Sequence, residues 1–590
     1  MEAEIDKNSA EYSYTQRDEF TSEVYKVEVR NLGIFGFAEF KKLLRKQFSL
    51  DASKIKSPKR RDFAYVCFRS QNDLDRAINE LNGFVWKGKT LKVIKAKATA
   101  DPLVKRRMED GQSDRGSKPA KRAKTVVEAT CPLHHLPYEK QLSQKDKEMK
   151  EVMANFGREL AEVNSSAKEH FIDEDLPCKY LGIKAAPKID EYRNKSEFAI
   201  GKNSEGEKVV GFRLGSYADG SVEVGGLEGL PQIPQKVKKA AKTFEVYLRK
   251  TKFEVFNPEH NSGHFRQLSV RYSEHNEEVM LIFGVYSANL TEEELKELKE
   301  EVKTFFETYD KAEFECNSLY YQDLKRKESG QLSCPVEHLS GSTHINDVIH
   351  GLKFRISPLA FFQINTKGAE LLYEEARDLA RLKPNSTVLD ICCGIGTIGL
   401  YFAQHSKQVL GVEIIPEAVK DAEFNATENS ITNCKFYCGN ADDYIQSIVK
   451  ESVYSCLNKS DLDLVAVVDP PRAGLHNRSI QAIRNAYDLK RLVYISCNPK
   501  SATRNWIDLA RPESKNYKGS PFLPKCAIAV DMFPHTSHTE MILLFERCEE
   551  ENEEVKDETE KISNTDEEIA IQSNHLEQEE ETVKCTSDET

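Results

Sequence analysis

No stretch of the 590-residue chain strings together the roughly 18 apolar residues that a membrane-crossing helix requires. The first thirty residues lack the basic-then-apolar layout of a signal peptide and the Arg-rich, acid-poor character of a transit peptide, so an intracellular protein is expected. There is no CxxC pair among the 14 cysteines, which excludes a zinc ribbon. The adjacent Cys392 and Cys393 cannot chelate one ion in the usual geometry, and neither a metal nor an iron–sulfur cluster is expected. In a reducing compartment these thiols should be free. No internal repeat is visible, which sets aside solenoids and propellers. What remains is 39% hydrophobic and 31% charged, with mean hydropathy −0.57, enough for several globular domains.

The net charge of −12 conceals two opposite regions. From Glu549 to Thr590, 17 acidic residues stand against 3 basic ones, a net of −14, so the rest of the chain is slightly positive. From Ser22 to Ala98, 18 basic residues face 8 acidic ones, a net of +10. A local excess of that size suits a phosphate-binding surface, because each neutralised phosphate releases counterions. A solvated basic surface is the plainer alternative.

Within that basic region the pattern runs strand, helix, strand, strand, helix, strand. Val27–Leu32, Phe63–Phe68 and Leu91–Ile94 read as strands, and Phe40–Phe48 and Leu74–Leu81 carry helical spacing. Arg61-Asp62-Phe63-Ala64-Tyr65-Val66-Cys67-Phe68 resembles the longer signature of the RNA-recognition-motif family, and Val27-Glu28-Val29-Arg30-Asn31-Leu32 its shorter one. Alternate residues of a strand share a face, so Phe63 and Tyr65 would both offer rings to bases. Packing beneath a partner element is the other reading of those two rings. The sequence departs from the family at Asp62, where glycine is usual, and at Glu28, where a third ring is usual. Glu28 would repel phosphate.

Residues 99–137 read as a basic linker, with Lys105-Arg106-Arg107 and Lys118 to Lys124 laid out like a two-part nuclear localisation signal. Residence in cytosol and nucleus follows as an expectation. Residues 138–171 read as a charged surface helix, and 172–344 as a central α+β region. There Val209–Leu214 and Val222–Val224 flank an Asp219-Gly220 turn. From 345 to 548 the pattern becomes βαβ, with strands at Thr387–Ile391, Val409–Glu413, Lys435–Tyr437, Leu464–Asp469 and Leu492–Ser496, so a parallel sheet is expected. Residues 1–21 and the acidic tail 549–590 lack the apolar content to order themselves.

Asp390-Ile391-Cys392-Cys393-Gly394-Ile395-Gly396-Thr397-Ile398-Gly399 joins a hydrophobic strand to an amphipathic segment, a layout that brings backbone close to a ligand. Glu413 ends the next strand, where a carboxylate can accept both ribose hydroxyls, and Asn440 after the third strand can meet adenine. Both features suit a dinucleotide as well as S-adenosylmethionine. The fourth strand ends in Asp469-Pro470-Pro471-Arg472, an acid in a proline-stiffened turn, which nicotinamide dehydrogenases do not need and base methyltransferases often carry. A turn-initiating role for Asp469 is the plain alternative. The fifth strand delivers Ser496-Cys497-Asn498-Pro499 to the same edge; taken alone, Cys497 reads equally as a small packing residue.

Together with Phe361-Phe362-Gln363-Ile364-Asn365 and Phe533-Pro534-His535-Thr536-Ser537-His538-Thr539-Glu540, these segments resemble the RNA uracil-5-methyltransferase family over roughly residues 172–548. The resemblance implies an α/β fold: a Rossmann-like S-adenosylmethionine-dependent methyltransferase domain, a central RNA-binding domain and the N-terminal βαββαβ module over 22–98. It implies S-adenosylmethionine as cofactor, held by Gln363, Gly394, Gly396, Glu413, Asn440 and Asp469, and RNA, tRNA above all, as partner. Cys497 matches the nucleophile that adds to carbon 6 of uracil, Glu540 the base that later removes the carbon-5 proton, and Asp469 a residue near the ring and methyl donor. A thiol pKa below the free value of about 8.5 is expected for such a nucleophile. His535 and His538 match the segment leading to Glu540, as supports or as chemical groups. Tyr192-Arg193-Asn194-Lys195 resembles the family's RNA-holding central domain, or makes structural ion pairs. Cys392 and Thr397 depart from residues that some relatives carry around the cofactor.

The expected product is 5-methyluridine in the T-loop of tRNA. The alternatives are another uridine, in ribosomal or messenger RNA, and an RNA-binding or tRNA-folding protein with secondary methyltransferase activity. A nicotinamide oxidoreductase would explain the glycine turn and Glu413 but leave Cys497 and Glu540 idle.

Overall fold

The computed structural model describes residues 24–32, 37–50, 52, 54–56, 62–68, 70–97, 125–215, 222–258, 262–324, 334–454, 461–515 and 517–548. The basic linker runs, the acidic tail, the residues before 24 and the Asp219-Gly220 turn lie outside them. The chain divides into two compact units, one of residues 1–144, 185–371 and 531–538, the other of 145–184, 372–530 and 539–590. This cut differs from the expected boundary at 344/345. Among the described residues no helix is long and apolar enough to cross a membrane, and no three His, Cys, Asp or Glu residues are grouped to hold a metal.

The first unit opens with β1 (Tyr25–Arg30), α1 (Phe37–Lys46), β2 (Lys54–Lys56), β3 (Ala64–Phe68), α2 (Gln71–Leu81) and β4 (Lys92–Lys95). The strands pair antiparallel in the order β2-β3-β1-β4. Val27, Val29, Ala64, Val66 and Val93 bury one face together with Phe40 and Leu44 of α1 and Leu74, Ala77 and Leu81 of α2. The period-2 alternation thereby sends Lys26, Glu28, Arg30, Phe63 and Tyr65 to the other face. Helix α2 starts where the Ser70 side chain accepts from Asp73 N at 3.1 Å.

Two expectations about 99–171 need correction. Residues 125–130 are not linker: Thr125 and Glu128 form a reciprocal capping box that starts the helix Val126–Thr130, and Val126 is buried in the core of the larger sheet described below. Helix α3 (Tyr138–Val163) is the expected charged helix, but one of its faces is buried while the other is exposed. Its sparse apolar residues Met149, Val152, Met153, Phe156 and Leu160 recur every three or four positions and enter the core of the second unit. After it comes β5 (Lys179–Lys184), which also belongs to that unit.

The rest of the first unit is a seven-stranded sheet. It comprises β6 (Lys195–Lys202), β7 (Lys208–Arg213), β8 (Val224–Gly225), β9 (Phe265–Tyr272), β10 (Val279–Val285), β11 (Ser318–Asp323) and β12 (Val336–Gly341), in the order β8-β7-β6-β9-β10-β11-β12. Helices α4 (Gln235–Lys250) and α5 (Glu292–Thr308) cover one face, contributing Phe244, Leu248, Leu298 and Val302 to its core. A hairpin of β13 (Ile345–Ile349) and β14 (Leu352–Ile356) precedes α6 (Thr366–Ala380), along which the chain passes between units.

The second unit alternates β15 (Ser386–Ile391), α7 (Thr397–Ala403), β16 (Gln408–Glu413), α8 (Pro416–Glu428), β17 (Cys434–Cys438), α9 (Ala441–Tyr454), β18 (Asp463–Val468), α10 (Asn477–Asn485), β19 (Leu489–Ser496), α11 (Pro499–Ala510), β20 (Phe522–Val530) and β21 (Glu540–Arg547). The sheet order is β17-β16-β15-β18-β19-β21-β20-β5. Strands β15 to β19 are parallel; β15, β16, β18 and β19 carry the near-continuous apolar runs of strands buried on both faces, while β17 lies at the sheet edge and is only partly covered. The sheet as a whole is mixed, not parallel. Only residues 531–539 separate β20 from β21, too few for a crossover helix, so β21 runs antiparallel to both β19 and β20.

Candidate active site

A parallel sheet presents every strand's carboxyl end along one edge, and an antiparallel strand presents its amino end there. The second unit therefore lines up Asp390 and the glycine turn after β15, Glu413 at the end of β16, Asn440 after β17, Asp469 after β18, Cys497 after β19 and Glu540 at the start of β21. The register sharpens this. Ser496 pairs with Met541, so the next step along the ladder sets Cys497 across from Glu540.

The glycine turn is built on positive φ angles at Cys392 (66°), Gly394 (55°) and Gly396 (83°). A Cβ on Gly396 would come within 3.2 Å of the Phe436 ring, on top of the strain of that conformation. Both Cys392 N and Cys393 N donate to the Val412 carbonyl, at 2.9 and 3.2 Å, which ties the turn to β16. Glu413 completes the tie: one carboxylate oxygen accepts from Gly394 N at 3.0 Å, the other from Ile414 N and Ile415 N at 2.8 and 3.0 Å. The oxygen bonded to Gly394 N has accepting capacity left for a ligand's hydroxyl. Asn440 is exposed and donates to Asp443 at 3.0 Å. Asp390 lies fully buried beneath the turn; burial first, then the carboxylates of Asp469 and Glu413, push its pKa up to about 7 against the Gly399 N–H.

The Asp469-Pro470-Pro471-Arg472 loop is fixed from α11. Asn505 accepts from Leu475 N at 2.7 Å and from the Tyr494 hydroxyl at 2.8 Å, and donates to Leu475 O at 3.2 Å. Cys497 is aimed by the residue after it. Asn498 is the N-cap of α11, accepting from Ser501 N, and Pro499 fills the first helical turn, where its missing N–H costs nothing.

Cys497 is half-buried, and its thiol is pushed up to about 11 by burial, then by the Glu540 and Asp469 carboxylates. Arg472 opposes this with a hydrogen bond and its charge. The expectation of a lowered thiol pKa is therefore wrong for the protein without bound RNA, because two acids and a dry wall outweigh one guanidinium. Glu540 is buried, with one carboxylate oxygen lacking any hydrogen-bond partner. Burial, then Asp469, hold it well above the usual carboxylate range, while Arg472 pulls the other way. Such a carboxylate binds a proton more strongly than an ordinary one.

Sequence reasoning missed three residues of this constellation. Arg472 stood in a quoted motif without a role, yet it is the cation facing both Cys497 and Glu540. Asn505 had no local signal. The fully buried Tyr373 of α6 bonds the Thr397 hydroxyl at 2.9 Å, and Asp469, Asp390 and Glu540 are close enough to raise its pKa further.

Other expected residues fall in the first unit. Gln363 is buried just before α6, its carbonyl accepting from Asn194 at 2.8 Å. His535, at φ 67°, pairs with Asp190 at 2.8 Å and contacts Gln141 through ring and backbone. These contacts give it an anchoring role in its segment. The His538 ring packs edge-on to Phe533. Tyr192 donates to the Pro534 carbonyl and Lys195 pairs with Glu197, so both have structural partners. Phe63 and Tyr65 are half-exposed, their rings 5.6 Å apart at 80°, and Lys26 lies 5.3 Å from the Tyr65 centroid.

A family model described as tRNA (Uracil-5-)-methyltransferase matches residues 266–548. The human tRNA (uracil-5-)-methyltransferase homolog A is 39% identical over 549 residues, covering 92% of this chain and 85% of that protein. The mouse homolog B is 38% identical over 428 residues, covering 72% of this chain and 85% of that protein. Among solved structures, the Pyrococcus abyssi tRNA (uracil-54, C5)-methyltransferase in complex with S-adenosyl-L-homocysteine matches with a TM-score of 0.49 at 23% identity, covering 73% of this chain and 87% of that one.

Proposed function

The chain belongs to the tRNA (uracil-5-)-methyltransferase family, and from that premise we propose that it forms 5-methyluridine at the T-loop uridine of tRNA through a covalent Cys497 adduct. The positive-φ glycine turn, with Glu413 bonded to Gly394 and Asn440 exposed at the next strand end, fits an adenosine-bearing cofactor. Gly394, Gly396, Glu413, Asn440 and Asp469 would hold it. S-adenosylmethionine supplies an electrophilic methyl group on a sulfonium.

The chain's own residues do the rest. The Cys497 thiol gives up its proton to solvent, its thiolate bonds carbon 6, and the displaced electron pair makes carbon 5 nucleophilic enough to take the methyl group. Glu540 then removes the carbon-5 proton; that bond's electrons restore the ring double bond and expel the Cys497 thiolate. A raised Glu540 pKa suits this step, since carbon 5 yields its proton only to a base of some strength. Arg472 stabilises the thiolate at both ends of the cycle. The target uridine must leave its stack to reach the site, at a cost of a few kcal/mol.

The observation that carries the reading is the ladder register that ends on Ser496 against Met541, one step short of Cys497 and Glu540, at the carboxyl edge of the sheet. Residues 22–98, with their basic excess and the two half-exposed rings, are read as an RNA-recognition motif that helps gather RNA. The test incubates the full chain with unmodified tRNA and methyl-labelled S-adenosylmethionine, then maps the label. Wild type should mark one T-loop uridine at carbon 5, and Cys497→Ala none. Label on adenine, or undiminished transfer by Cys497→Ala, overturns the mechanism; label on other uridines only overturns the T-loop assignment.

A further inference from the structure

Glu28 stands on the central strand β1, directly across from Tyr65 on β3 and Ile94 on β4. It thus occupies the middle of the face that carries Phe63 and Tyr65, where a bare carboxylate would repel RNA. It is not bare. One Glu28 oxygen accepts from Arg30 Nε at 2.6 Å, and the Glu28 side chain is 14% exposed against 50% for Arg30. What this part of the face offers to a ligand is the guanidinium. Register sets the exposed Arg30, Lys54, Lys56 and Lys92 on the same face, with Lys26 buried between them, so that among the described strand residues cations outnumber the one acid. That charge selects a polyanion, and the neighbouring rings select one with planar bases.

We propose that the Glu28–Arg30 pair serves as a third base-stacking plane for single-stranded RNA, with Glu28 holding the guanidinium in place of the missing ring. The inference rests on reading residues 22–98 as an RNA-recognition module. A guanidinium is planar, polarisable and weakly hydrated, so a base stacks on it much as on an aromatic ring. Its Nε is engaged by Glu28, which leaves the Nη donors for a base edge or phosphate. Lysine keeps the charge but has no plane, so the two contributions separate cleanly.

The test measures binding of a short fluorescent single-stranded RNA of mixed sequence to the full chain over a range of salt. Arg30→Lys should weaken binding about tenfold, as expected for one lost stacking contact, with the salt slope unchanged. Adding Glu28→Phe to Arg30→Lys should restore the affinity, because a ring then fills the position. The double variant Phe63→Ala, Tyr65→Ala should lose more than Arg30→Lys. Wild-type binding by Arg30→Lys, alongside a loss in the double variant, overturns the guanidinium plane and leaves the module reading intact. Unchanged binding in the double variant overturns the module reading, and the plane with it.

Discussion

At the scale of single residues, the site is governed by an imbalance of charge around one sulfur atom. Burial first, then the Glu540 and Asp469 carboxylates, push the Cys497 thiol up to about 11, with Arg472 as the opposing cation. Below that value each unit of pH should raise the thiolate fraction about tenfold. Peptide-resolved alkylation of Cys497 should therefore keep accelerating through the mildly alkaline range; a plateau near the ordinary thiol value of about 8.5 would contradict it. Arg472→Ala removes the stabilising partner and should slow alkylation further at any given pH, with methyl transfer falling at least as much. Cys497 and Asp469 were legible because each closes an apolar run with a reactive side chain, and Glu540 through the resemblance of the Phe533–Glu540 segment. Motif reading missed Arg472, whose role exists only once two strand ends are neighbours, and Tyr373, whose apolar helical spacing looks like core.

At the scale of elements, aim depends on how strands hand over to helices. Asn498 caps α11 directly after Cys497, and losing such a cap costs about 1 kcal/mol. Asn498→Ala should lower stability by that amount in denaturant titration. It should lower methyl transfer more than the small change in folded fraction explains, because the sulfur loses its direction. A transfer rate that falls only with the folded fraction would show that the cap does not aim the thiol. Asn505→Leu should loosen the Asp469–Arg472 loop in the same way, leaving two groups of Leu475 unpaired at about 1–3 kcal/mol each if they stay dry. The ends of β15, β16, β18 and β19 were legible because buried parallel strands are apolar along their length. The hairpin of β20 and β21 was not anticipated, although its short connection signals the antiparallel return that brings Glu540 to the edge. Helix α3 looked like surface because its charged residues outnumber the five apolar ones that seat it.

At the scale of the whole molecule, charge is divided along the chain. The region 22–98 carries +10 and residues 549–590 carry −14. An acidic segment in the same chain competes with phosphate for basic surface, an effect that salt screens. Removing residues 549–590 should therefore tighten binding to non-specific RNA at low salt, with the gain shrinking as salt rises. Binding unchanged at all salt concentrations would leave that segment a solubilising role only. Composition and period gave no sign of the tertiary partition. Residues 145–184 and 531–538 join units distant in sequence, and only strand pairing and helix burial decide that.

The central claim is that one sulfur carries the base while one carboxylate releases it. The most direct measurement is intact-mass analysis of Glu540→Gln incubated with unmodified tRNA and S-adenosylmethionine under denaturing conditions. A stable species at the summed mass of protein and methylated tRNA, mapped by digestion to the peptide holding Cys497, is the predicted result. Free methylated tRNA with no such adduct, or an adduct on another cysteine, would contradict it.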